Sequence, residues 1–100
     1  MNIPKSFKIA GQEITVQIVD HLDDHSFGMW GSANNTIYIA NNVNTEYDGK
    51  VWLTESHQLN TFFHELMHCF QYYYNNEYSE SQAQVFANFL HEFVETKHEN

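Results

Sequence analysis

Positive charge is scarce in this sequence: four Lys and Arg residues stand against 13 Asp and Glu, for a formal net charge of −9. That balance excludes the usual nucleic-acid binder, which displaces counterions from phosphates with clustered cations. It equally disfavours an anionic membrane surface. Cysteine is nearly absent. With Cys69 alone, no intrachain disulfide can form. Long apolar runs are missing too, since no stretch approaches the roughly 20 apolar residues that span a bilayer. The segment from Met1 to Gly11 lacks the apolar centre of a secretion signal. Internal repeats and low-complexity segments are also absent. These absences lead us to expect a cytoplasmic protein that binds neither nucleic acid nor membrane.

What remains is a globular composition. With 42% apolar and 16% aromatic residues, the chain can bury a core instead of staying disordered. Its 100 residues suit one domain with a modest stability margin.

The N-terminal part alternates. Phe7 and Ile9, then Ile14, Val16 and Ile18, stand between polar neighbours, the period of half-buried strands. Gly11-Gln12 between these runs reads as a type II′ turn, so residues 5–10 and 13–20 are expected to form a hairpin. Asn34-Asn35 is a second turn signal, joining 27–33 to the alternating run Thr36 to Ala40. Residues 41–53, with several Asn, an Asp and a Gly, read as an exposed loop. From Thr54 the period becomes helical over 54–75, with Thr54 as N-cap and Glu55 in the first turn. A second helix covers 79–96. The expected fold is α+β: a small antiparallel or mixed sheet of about three or four strands over residues 1–40, packed on two C-terminal helices.

On a wheel of 100° per residue, Leu59, Phe62, Phe63, Leu66, Met67, Cys69, Phe70, Tyr73 and Tyr74 share one apolar arc. His57, His64, His68 and Asn75 share the opposite side. Neither His64 nor His68 therefore reads as a core histidine. In the second helix Ala83, Phe86, Ala87, Leu90, Phe93 and Val94 form the apolar arc, bordered by Glu80, Gln84 and His91.

His64-Glu65-Leu66-Met67-His68 is an HExxH pattern. Two His at i and i+4 differ by about 40° in direction and roughly 6 Å in rise, so both rings can reach one metal ion. Glu65 projects beside that ion, where it can take a proton from a water whose pKa the metal lowers to about 7. Catalytic zinc usually takes three protein ligands. The downstream candidates are Glu77, Glu80, His91, Glu92 and Glu95. Glu80 suits best: it opens the second helix just outside its apolar arc, and Ala83 and Ala87 beside it allow close helix approach. His91 lies about 16 Å further along the same face, too far to share a metal with Glu80. Gln84, one turn after Glu80, is placed to accept the free N–H of a ligating His. Cys69 falls on the apolar arc and reads as a small buried residue.

The run from Phe62 to Leu90 resembles the minimal gluzincin-type peptidases, a group with compact archaeal and phage-encoded members, and also the ImmA/IrrE-like peptidase domain. Those families pair an HExxH helix with a glutamate that opens the next helix, commonly reading Glu-x-x-Ala-x-x-Phe-Ala-x-x-Leu. Glu80, Ala83, Phe86, Ala87 and Leu90 stand at those positions. The resemblance implies a zinc metallopeptidase with one Zn²⁺ held by His64, His68 and Glu80, and Glu65 as general base. It also implies an extended peptide substrate paired to an edge strand, either Thr36 to Ala40 or 27–33. The chain departs from metzincins, which would need Gly and His where Gln71 and Tyr74 stand. It departs from thermolysin-like enzymes at Gln84, where they carry Asp. Tyr72, Tyr78, His57 and His91 are the candidates to stabilise an oxyanion.

Two other functions are compatible with the sequence. In one, zinc merely joins the two helices, and a side chain from Lys97-His98-Glu99-Asn100 closes the fourth position in a latent form. In the other, the protein binds a partner and holds no metal.

Overall fold

A computed structural model describes residues 1–74 and 77–99. Among the described residues are six strands and then two helices. β1 (Ser6–Ile9), β2 (Gln12–Val19), β3 (Gly28–Gly31) and β4 (Thr36–Ala40) form a mixed sheet in the order β1-β2-β4-β3. β1 and β3 run antiparallel to their neighbours, while β2 and β4 pair in parallel. α1 (Glu55–Tyr73) and α2 (Glu80–Thr96) follow. The α+β arrangement, a small mixed sheet followed by two helices, is thus the one expected.

The first hairpin turns one residue earlier than Gly11-Gln12. Ile9 pairs with Gln12, so Ala10 and Gly11 form the two-residue loop. Their φ values of 50° and 76° make it a type I′ turn, whose twist matches that of the strands, in place of II′. Residues 41–53 are not a loop. Asn42–Thr45 (β5) pairs antiparallel with Gly49–Trp52 (β6) as a separate two-stranded ribbon. Backbone hydrogen bonds hold it without a continuous apolar face, so no alternation announced it. Its turn closes at Gly49, where φ is +65°.

Register puts Phe7, Ile14, Val16, Trp30, Ile37 and Ile39 on one face of the sheet. That face meets Leu59, Phe62 and Phe63 of α1. Ile14, Ile37 and Ile39 are completely buried, and full burial of each such side chain contributes about 2 kcal/mol. On its far side α1 receives α2, whose Ala83 and Ala87 are fully buried at the crossing. α1 is therefore a central layer, and its polar side chains have neighbours as its apolar ones do.

Both helix starts are capped as residue type dictates. Thr54 accepts a hydrogen bond from the His57 N–H, and Ser79 accepts one from the Gln82 N–H. The first helix ends at Tyr73; Asn75 and Asn76, expected at its end, lie outside the described residues. Parts of the two arcs reach solvent. Phe70 on α1, Tyr74 at its C-cap and Phe93 on α2 are exposed, while their neighbours Cys69, Tyr73 and Val94 pack on the core.

Candidate metal centre

α1 and α2 bring His64, His68 and Glu80 together. The two His are one turn apart on α1, and Glu80 is the first residue of α2. One ligand atom from each lies within 4.8 Å of the others, so the three could hold a metal ion. His68 Nε2 stands 2.7 Å from Glu80 Oε1 and 3.2 Å from His64 Nε2. His64 Nε2 is 3.2 Å from Glu80 Oε2. Glu77, His91, Glu92 and Glu95 lie outside this group.

The proton positions decide what the group can do. His64 Nδ1 lies 3.0 Å from Gln84 Oε1, and His68 Nδ1 lies 2.9 Å from Gln71 Oε1. An amide oxygen only accepts, so each Nδ1 carries a proton and each ring turns its Nε2 inward. The two Nε2 atoms and a carboxylate then converge within hydrogen-bond distance of one another. Such a convergence is repulsive unless a cation lies in it, whether a metal ion or added ring protons. Two imidazole nitrogens and a carboxylate oxygen form a donor set that suits a borderline-soft divalent ion.

Gln84 thus sits where its residue type predicts, against His64. Gln71 was singled out in the sequence only as a departure from another family pattern. The signal for its contact was its i+3 position from His68, since such pairs meet on a helix surface. The His face itself is not a solvent face: His68 is only 4% exposed, because α2 and Tyr78 cover it.

Glu65 is 7% exposed. Burial, then the nearby Glu80 charge, push its carboxyl up to about 7. Among the described residues its oxygens make no hydrogen bond, and the side chain lines an open cleft of about 630 Å³. That cleft runs between β3 and α1 and also reaches His64, His68, Tyr78 and Glu80. Gly28 makes the close approach possible. A Cβ there would stand 2.6 Å from Thr61 Cγ2 and 3.1 Å from both Glu65 Cγ and the Tyr38 carbonyl oxygen. Gly28→Ala is expected to cost about 1–3 kcal/mol through overpacking. Its thermal midpoint should fall by roughly 5–20 °C, at about 4–8 °C per kcal/mol for a domain this small; a midpoint within 2 °C of wild type would refute the close contact.

The oxyanion candidates separate in space. Tyr78 stacks on His68 with ring centroids 4.5 Å apart and planes 6° from parallel, and its hydroxyl donates to Glu80 Oε1. This bond holds the phenol up at about 12 and draws the Glu80 carboxyl below its usual range. His57 is half-buried, not exposed, and lines the same cleft against Phe27 at 4.5 Å. Tyr72 instead packs edge-on against Trp30, away from the cleft. His91 also lies elsewhere, with Nε2 2.9 Å from Ser56 Oγ. Cys69 is fully buried, and burial pushes its thiol up to about 11, as befits a packing residue.

Lys97 follows the 17-residue α2, about 25 Å along the axis from Glu80, and among the described residues Lys97, His98 and Glu99 lie outside the group that could hold a metal. Asn100 lies outside the described residues.

Compared with known proteins, the chain matches no family model, no curated protein and no solved structure. Among the described residues no helix is long and apolar enough to cross a membrane.

Proposed function

We propose that this chain is a zinc-dependent metallopeptidase that cleaves extended peptides internally. The observation that carries this reading is Glu65: a buried carboxyl, without a hydrogen bond among the described residues, opening into the same cleft as the triad that could hold a metal. A buried carboxyl poised near neutrality is suited to exchanging protons at working pH.

His64, His68 and Glu80 would hold Zn²⁺. The ion would supply Lewis-acid chemistry, acidifying water and polarising a carbonyl. Glu65 accepts a proton from the attacking water and delivers it to the leaving amine. Gln84 and Gln71 keep both Nε2 lone pairs directed inward by holding the Nδ1 protons.

The strand order favours one substrate edge over the other. β4 is flanked by β2 and β3, so Thr36 to Ala40 has no free edge. β3 has one, and it lines the cleft. The Ala40 N–H donates to the Phe27 carbonyl. Alternation along an antiparallel pair then turns the N–H and C=O groups of Gly28 and Trp30 outward, available to an extended peptide.

The test is direct. Zinc-loaded protein is incubated with a reduced, alkylated protein substrate, and new termini are read by mass spectrometry. Cleavage should appear, stop with chelator and return with zinc. No new termini at zinc saturation would overturn the proposal.

A further inference from the structure

Gln71 is 2% exposed, and its amide joins the two halves of the centre. Its Oε1 accepts from His68 Nδ1 at 2.9 Å and from the Ser79 N–H at 3.3 Å. Its Nε2 donates to the Ser79 carbonyl at 3.3 Å and to Gln82 Oε1 at 2.7 Å. The backbone of Ser79 offers one donor and one acceptor to this amide, and that pair fixes which end is oxygen. Ser79 is also the N-cap of α2, immediately before Glu80. One buried side chain therefore touches the ligand on α1 and the backbone that launches the ligand on α2.

A buried amide with every strong hydrogen-bonding group engaged costs little to keep and much to disturb. An apolar side chain of the same length would pack as well here but would leave the Ser79 N–H and carbonyl without this partner. It would also free His68 to place its proton on either nitrogen. Gln84 performs half of this task for His64, orienting one ring, but it does not touch the cap of α2.

We propose that Gln71 is a positioning residue that assembles the metal centre before any ion arrives: it sets the His68 tautomer and clamps the start of α2 so that Glu80 meets the two His. The proposal rests on the reading that the triad binds a metal. Its prediction for the metal-free protein is independent of catalysis.

The experiment compares Gln71→Met with Gln71→Glu in the full chain. Nitrogen-15 shifts of the His rings are recorded without metal, and zinc affinity is measured by competition with a chelator. In wild type His68 should hold its proton on Nδ1. In Gln71→Met its ring should populate both tautomers, and zinc affinity should fall about 10–100-fold. His64, held by Gln84, should keep its own tautomer and serve as the internal control. Gln71→Glu retains an acceptor for His68 Nδ1 and for the Ser79 N–H. It loses the N–H that met the Ser79 carbonyl and Gln82 Oε1, so His68 should keep its proton on Nδ1 while zinc affinity falls, by less than in Gln71→Met. Should Gln71→Met not fold, Gln71→Asn withdraws the amide by one methylene and is read in the same way. An unchanged His68 tautomer together with unchanged zinc affinity in the apolar or shortened variant overturns the clamp. Absence of zinc binding by wild type would defeat the proposed function instead, and the metal-free tautomer would still decide the role of Gln71.

Discussion

Glu65→Gln should retain zinc and lose hydrolysis, with kcat falling by about 10²–10⁴-fold, the usual worth of a positioned general base. The amide keeps the size of the side chain but cannot take the proton of an attacking water. The same substitution should stabilise the metal-free protein. The Glu65 carboxyl is raised from its ordinary 4.5 to about 7. Between those values the native state holds a proton that the unfolded state releases. Stability therefore falls as pH rises through this window and stays low above it. A shift of that size corresponds to about 3 kcal/mol. Removing the ionisable group should recover up to about 3 kcal/mol at pH 8 and nothing at pH 4, below both values. Urea unfolding of chelator-treated protein at the two pH values measures it. Equal gains at both would refute the burial argument. Full peptidase activity of the variant would refute the mechanism. A loss of activity with a gain in stability is the signature of a group kept for function against the preference of the fold.

Zinc should raise the unfolding midpoint steeply. An ion that binds only the folded state stabilises it by about 4 kcal/mol at a free concentration 1,000 times Kd. For a domain near this size each kcal/mol moves the midpoint by about 4–8 °C, so a rise of roughly 15–30 °C is expected. Calorimetry at buffered free zinc tests it, with His68→Ala as control. His68 is one of seven His in the chain, and the others could bind zinc weakly in the unfolded state and blunt the rise. The control separates these contributions, since the rise should vanish in His68→Ala if the triad is the site. A wild-type midpoint that ignores zinc would favour a metal-free binding protein. A full rise without peptide cleavage would favour an ion that only joins α1 to α2.

The HExxH segment was legible because helix geometry is local. Spacing of one and four residues places His64, Glu65 and His68 relative to one another whatever surrounds them. Glu80 was legible for a related reason: the small side chains of Ala83 and Ala87 marked the face of α2 that approaches α1, and Glu80 borders that face. Alternation likewise gave the first hairpin and β4, while β3 was legible only through the Asn34-Asn35 turn signal before β4; the turn at Ala10-Gly11 instead of Gly11-Gln12 follows from strand register.

Other features depended on pairing between distant segments, which no periodicity encodes. Strand order made β4 an interior strand and left β3 as the free edge on the cleft. The β5–β6 ribbon has Val43–Val51 as its one apolar pair and otherwise rests on backbone hydrogen bonds, so hydrophobic patterning was blind to it. Burial of Glu65 and His68 arose because β3, Tyr78 and α2 close over one face of α1. The clamp by Gln71 required the start of α2 to return to α1 about one turn beyond His68, a meeting across 8 residues of sequence at Ser79 and 11 at Gln82. The sequence by itself thus determined that His64 and His68 can reach one cation, because their spacing is a property of one helix. The tertiary structure alone decided their proton positions, their burial and the strand edge beside them, because these are set by contacts that close only when the sheet and both helices have packed.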